Sequence, residues 1–392
     1  MNTSTDFTTG AGKGVEQLNA AHFKLQLRRD KRVYENFFHF RLDAQDYCGE
    51  AIVDVCPDRD FLPDSCSILD THFSPAIIWR STVGPFTTDV SGWRPHPQHL
   101  TEWHRDFIRL RLWVEPEQVV YFSSHHPITP EHWRELLEKR AASCPELCRH
   151  ITLGTTPEGR EISGLAVGAG KRRVMVMAGE HPIETPGSWA VWGVIDYLTS
   201  TLHEARALCE EYRFECFPIV NPDGLAHGNA CFTSNGTDLF VAYSGAPERS
   251  FPAREAELVW EWATGQSAAL LFDFHCYMGG VHTQDYPGEG IYTVPQSQLE
   301  EVLAPQAARA YQVINDRVIF SADPFSSYYR TIDLTPENLC YQMAAQWNVP
   351  SVMYEFNGAH NGPYRNTRRG ITVFVAAMDG LREVSRNRGA TD

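Results

Sequence analysis

The chain has 392 residues, room for about two domains at on the order of 100–200 residues each. Its apolar fraction of 43% supplies an ordinary globular core, and its net charge of −15 argues against nucleic acid or an anionic membrane as partner. No apolar run approaches the roughly 18 residues of a membrane span.

Residues 1–20 are polar and glycine-bearing and read as a flexible N-terminal arm. Residues 1–7 lack the basic start and apolar centre of a signal peptide. The ten cysteines are scattered, mostly inside apolar or strand-like runs. Reduced thiols and a cytoplasmic location are the expectation. Cys144 and Cys148 lie one helical turn apart with no partner pair, which does not make a structural metal site.

Residues 21–145 read as a small β-sandwich of short alternating strands divided by turn clusters. The stretch Ile108-Arg109-Leu110-Arg111-Leu112 alternates strictly, as a half-buried antiparallel strand does. A helix from Glu131 to about Ala142, with Thr129 as cap and Pro130 at its first position, leads out of this region. Residues 146–392 form a second domain, in which apolar runs alternate with helical patterns. The runs are Val174–Ala178, Phe214–Val220, Leu270–Phe274 and Val349–Glu355; the helices are predicted near 186–200, 253–264, 297–318 and 371–386. The fold class is therefore α/β, a mixed and mostly parallel sheet flanked by helices, preceded by the sandwich.

Chemistry concentrates where the apolar runs end. Val174-Met175-Val176-Met177-Ala178 is closed by Gly179, and His181 and Glu184 follow at a spacing that lets both grip one zinc ion. The same spacing recurs at His99 with Glu102 and at His132 with Glu135, but the first pair lies in a loop and the second on an amphipathic helix. Only His181 stands at the carboxyl end of a buried strand, where ligands bind in open α/β sheets. Leu270-Leu271-Phe272-Asp273-Phe274-His275 ends the same way and supplies a third ligand. Val352-Met353-Tyr354-Glu355 ends on a carboxylate among apolar neighbours, costly to bury unless it is paired or functional. Two imidazoles, one carboxylate and an open fourth position describe a catalytic zinc site, with Glu355 as the general base.

With these residues in view the chain resembles the zinc carboxypeptidase family, and within it the cytosolic carboxypeptidase-like branch. The motifs that carry the resemblance are Gly179-Glu180-His181-Pro182-Ile183-Glu184, Val220-Asn221-Pro222-Asp223-Gly224, Gly236-Thr237-Asp238-Leu239, Asp273-Phe274-His275 and Tyr354-Glu355. The resemblance implies one Zn2+ per chain held by His181, Glu184 and His275, with Glu355 as base and Asp238 holding the His181 imidazole. It also marks what is missing. Family members that trim peptide C-termini read Gly-Asn-x-Arg and Asp-Leu-Asn-Arg. Here the sequence is Gly228-Asn229-Ala230-Cys231 and Asp238-Leu239-Phe240-Val241. Cys231 stands in place of a carbonyl-polarising Arg, and Phe240 and Val241 replace the Asn and Arg that clamp a terminal carboxylate. Cys340 stands where the cytosolic branch has a further Arg.

The expected activity is hydrolysis of an amide or peptide bond in a small or modified amino-acid-derived or peptide-like substrate. His227, Arg254 and Arg330 are candidate oxyanion donors, Tyr341 a candidate substrate contact, and His282 to Tyr286 a candidate pocket loop. Three rivals remain: a conventional metallocarboxypeptidase with a relocated Arg, a zinc-binding pseudoenzyme or interaction module, and a thiol hydrolase using Cys231 or Cys276.

Overall fold

The computed structural model describes residues 1–28, 37–58, 77–85, 92–244, 250–277, 289–321, 329–357 and 362–389. The N-terminal part holds two five-stranded sheets. One runs, in spatial order, Asn2–Ser4, His39–Asp43, Val119–Ser123, Trp79–Ser81, Arg94–Pro95. The other runs Gly14–Asn19, His22–Gln26, Gly49–Cys56, Ile108–Val114, Thr101–Trp103. In the Ile108–Val114 strand Ile108, Leu110, Leu112 and Val114 point into a core shared with Phe40, Val53 and Phe122. Arg109 points the other way and grips Asp54 on the paired strand through two bonds of 2.7 and 2.8 Å. Alternation thus separates an apolar face from an ion-paired one.

Residues 1–20, expected as a flexible arm, instead carry two strands. Asn2–Ser4 pairs antiparallel with His39–Asp43, and Gly14–Asn19 with His22–Gln26. Thr9 N also donates to Ala226 O at 2.8 Å. These strands are held by backbone hydrogen bonds, while their side chains (Asn2, Thr3, Glu16, Gln17) carry no apolar alternation to announce them.

The C-terminal sheet has eight strands in the order Cys148–Thr155, Glu161–Val167, Tyr212–Phe217, Arg172–Ala178, Leu270–Tyr277, Ser351–Asn357, Glu289–Thr293, Tyr329–Asp333. It is mixed, parallel through its centre and antiparallel where Glu161–Val167 meets its neighbours and where Glu289–Thr293 meets Ser351–Asn357. Both faces are covered, which explains the unbroken apolar runs. Val174, Val176 and Ala178 share a core with helices Thr185–Leu198 and Pro363–Gly389. Met175 and Met177 share the opposite core with helices Arg254–Thr264 and Leu339–Trp347.

The helix after the sandwich is Pro130–Ser143, and Thr129 accepts from His132 N as its cap. Its buried face belongs with the C-terminal half: Leu137 joins that core and the Trp133 ring packs at a tilt against Trp189, centroids 5.0 Å apart. The helix predicted over 297–318 is broken into Leu299–Val302 and Pro305–Phe320. Pro305 can start a helix but its ring excludes the preceding residues from one, so Leu303 and Ala304 are extended.

Candidate metal centre

Gly179 ends its strand in the left-handed region at φ +76°, and a Cβ there would lie 2.4 Å from Ile219 Cδ1. The turn it permits carries Glu180 to Glu184 over the edge of the sheet. Asn221 secures that turn. Its amide donates to Glu180 O at 3.0 Å, while its Oδ1 caps the short helix Pro222–Ala226 by accepting from Gly224 N. Glu184 then precedes helix Thr185–Leu198, which approaches the His275 strand so closely that a Cβ on Gly187 would meet Phe274 O at 2.3 Å. Glycine at 187 lets the ligand that caps a helix reach a ligand on a strand.

The structure brings together the three expected ligands. His181 Nδ1 lies 2.7 Å from Glu184 Oε1, and His275 Nδ1 lies 2.8 Å from Glu184 Oε2. The ligating atoms of all three residues fall within 4.8 Å of one another. Cys276 N donates to Glu184 Oε2 at 3.0 Å and fixes the carboxylate. Burial alone would raise the Glu184 carboxyl, but the two imidazoles beside it prevail and hold it down at about 2. Burial likewise opposes charge on His181, yet Glu184 and Asp238 raise its pKa well above the ordinary value. Asp238 Oδ1 is 3.3 Å from His181 Nε2 and also accepts from Phe240 N at 3.1 Å, so one oxygen caps a turn and backs an imidazole.

Glu355 pairs in register with His275 on the adjacent parallel strand and points to the same face of the sheet. It is only 6% exposed, and its Oε2 has no hydrogen-bond partner among the described residues. Burial first, and Glu184 next, push its carboxyl up to about 8; a bound cation would draw it back down. A pair of Nδ1 donors sharing a carboxylate, beside a buried carboxyl with an oxygen unspent, fits a zinc ion with three protein ligands.

The substrate side departs further from expectation. Phe240 lies over His181, ring centroids 5.7 Å apart and planes within 28°, and meets His275 edge-on at 5.7 Å. Val241 completes the same 3-10 turn, Leu239–Val241, and is half-buried. Cys231 is buried in the apolar core that also contains Ile183 and Ala230. The Cys276 thiol is buried and its pKa is pushed well up by that burial, which removes it as a nucleophile. Tyr341 hydrogen-bonds Gln298 at 3.1 Å near the surface rather than turning to the centre. His227 is taken by Glu158 at 2.6 Å, and Arg254 pairs with Glu257. The side chain of Arg330 and residues His282 to Tyr286 lie outside the described residues.

Two tyrosines that sequence reasoning missed face the site. Tyr277 follows His275 by two on one strand, and Tyr292 stands level with Met353, two residues from Glu355, so all share one face. Tyr277 donates to the Tyr292 hydroxyl at 3.4 Å, and Tyr292 meets Phe240 at 5.9 Å. Burial, then the charge on Glu355, raises both phenols and keeps them neutral donors. Period-two spacing from His275 could have found Tyr277; Tyr292 depends on strand order and register.

Comparison with known proteins agrees with this geometry. Residues 133–240 match the family described as zinc carboxypeptidase. The chain is 41% identical over 147 residues to cytosolic carboxypeptidase 2 of Danio rerio and 27% identical over 191 residues to that of Xenopus tropicalis. These matches cover 35% and 44% of this chain and 20% of each relative, so the chain matches about a fifth of the length of these relatives. Over residues 133–240 the chain is thus similar to the zinc carboxypeptidase family. A metallo-carboxypeptidase from Burkholderia cenocepacia shares its fold at TM-score 0.76 and 19% identity, covering 97% of this chain and 99% of the other. One from Pseudomonas aeruginosa, solved in complex with (2-guanidinoethylmercapto)succinic acid, does so at TM-score 0.74 and 18% identity, covering 97% and 100%. Zinc is thus the family's ion, and no helix among the described residues is long and apolar enough to cross a membrane.

Proposed function

We propose that the chain is a zinc-dependent hydrolase of amide or peptide bonds, acting on a small or modified amino-acid-derived substrate. The observation that carries this reading is the convergence of His181, Glu184 and His275 beside the in-register Glu355. Zinc held by the first three would polarise the scissile carbonyl and acidify water. Glu355 takes a proton from the attacking water at its unspent Oε2 and returns it to the leaving nitrogen. Asp238 holds the His181 ring from behind. The substrate group beside the centre lies against Phe240, with the phenols of Tyr277 and Tyr292 as neutral donors.

That surface supports a neutral or apolar group rather than a free terminal carboxylate. A carboxylate is held best by a bidentate guanidinium, and Phe240 presents a ring instead. The Pseudomonas aeruginosa protein is complexed with a succinic acid derivative; an uncapped acid of that kind is a poor match for the aromatic surface proposed here. Arg28 favours the second reading, a conventional carboxypeptidase with a relocated Arg, because its guanidinium reaches the loop before Cys231. Its Nη2 is already shared among His227 O, Gly228 O and Asn229 Oδ1 at 2.7 to 3.0 Å, which makes it a loop brace. Nine free cysteines among the described residues and relatives named as cytosolic support a cytoplasmic location.

The test is Glu355→Gln with metal content and turnover measured together. N-acyl amino acids and amidated or ester-capped peptides are assayed against free-acid peptides. The expected result is one zinc per chain retained and turnover of capped substrates reduced by about 10²–10⁴-fold. Turnover unchanged by the substitution would sink the reading, and preference for free acids would favour the relocated Arg.

A further inference from the structure

His275 shows its two ring nitrogens to different neighbours. Nδ1 faces Glu184; Nε2 lies 3.2 Å from Asp273 Oδ1 and 3.5 Å from Glu180 Oε2. This far side is sealed, with Glu180, Asp273 and His275 all 0% exposed. Asp273 stands level with Met177 and Met353 in the middle of the sheet, and period two puts it on the same face as His275. A carboxylate among methionines is costly unless something holds it. Tyr243, itself fully buried, donates to Glu180 Oε1 at 3.1 Å. Glu180 Oε2, both oxygens of Asp273 and His275 Nε2 have no hydrogen-bond partner of good geometry among the described residues. The unspent polar atoms therefore face one another, and the ring's second nitrogen is the donor they lack.

We propose that Asp273 is the positioning carboxylate of His275, accepting from Nε2–H, with Glu180, braced by Tyr243, as the second acceptor behind it. The ring is then fixed with Nδ1 toward Glu184, and its basicity as a ligand rises. This rests on the functional reading above, in which His275 is a ligand. Both candidate ligand imidazoles are then backed by a carboxylate, His181 by Asp238 and His275 by Asp273. A second cation among the same atoms would require the imidazole to give up both ring protons, whereas the hydrogen bond needs only a neutral ring protonated at Nε2.

The zinc affinities of wild type, Asp273→Asn and Tyr243→Phe are measured by competition with a chromophoric chelator, without substrate. Asp273→Asn is expected to weaken zinc binding by about 10–100-fold, and Tyr243→Phe, at the outer end, by no more than about threefold. Should Asp273→Asn fail to fold, wild type decides alone: 15N-labelled histidine in the zinc-loaded protein must show the His275 proton on Nε2. An Asp273→Asn variant that binds zinc like wild type, a proton on Nδ1, or two zinc ions per chain would overturn the proposal and leave the hydrolase reading intact. Wild type that takes up no zinc would overturn both.

Discussion

Buried histidines take opposite states in the two parts of the molecule. In the N-terminal sheets His39 is wholly buried, with Phe7 and Trp93 rings at 4.8 and 5.5 Å, and burial pushes its pKa down to about 3. His96 goes the same way, to about 4, again chiefly through burial. His275 is buried and His181 half-buried, yet their pKa values rise because carboxylates overcome the desolvation. Burial alone makes an imidazole neutral packing material; burial beside Glu184, Asp238 and Asp273 makes it a proton or metal site. Depth therefore does not mark a functional histidine, and the acid beside it does.

The sharpest way to break this contrast is to remove the shared acid. Glu184→Gln should take away the acid that both imidazoles share, leaving Asp238 and Asp273 in place, and weaken zinc by more than the roughly 10–100-fold typical of an outer-sphere partner. Chelator competition gives the number, and unchanged affinity would mean that Glu184 is not a ligand. Next in size is the pH dependence of zinc uptake. Since both site imidazoles are raised above the ordinary value, they hold protons near neutrality that zinc must displace. Apparent affinity should rise with pH by about tenfold per unit for each displaced proton, and calorimetry in buffers of different ionisation enthalpy should record proton release.

The smallest effect lies in the N-terminal sheets and concerns stability rather than binding. His39 and His96 have folded pKa values below the unfolded one, near 6.5. The unfolded chain therefore binds more protons between about pH 6.5 and the folded values. Stability is fullest above pH 6.5 and falls as pH drops, by up to about 1.4 kcal/mol per group per pH unit. Thermal melts of wild type between pH 7.5 and 5.5 should show it, and His39→Phe should flatten the slope. A slope that His39→Phe leaves unchanged would remove His39 from the account.

Much of the centre was legible in the sequence because His181, His275 and Glu355 each lie near the carboxyl end of an apolar strand, and a strand end in a parallel sheet has a known fate. The aromatic surface was less so. Tyr292 reaches the site only through a short antiparallel strand inserted beside Ser351–Asn357, an order that no local pattern encodes. Glu180 and Asp273 look like ordinary turn and strand residues until register shows them converging on one ring nitrogen. Helix His203–Glu211, of nine residues, is too short to declare a period. The strands in residues 1–20 are written in backbone bonds rather than side chains.

The donor that Cys276 offers to Glu184 belongs to the main chain. Nineteen of the twenty genetically encoded residues would supply the same amide, so random drift at position 276 can alter packing but, proline apart, cannot delete that bond. Position 276 is nonetheless buried, so small apolar replacements such as Cys276→Ala should fold with the ligand carboxylate still facing the same way, while bulky or charged ones should fail through packing.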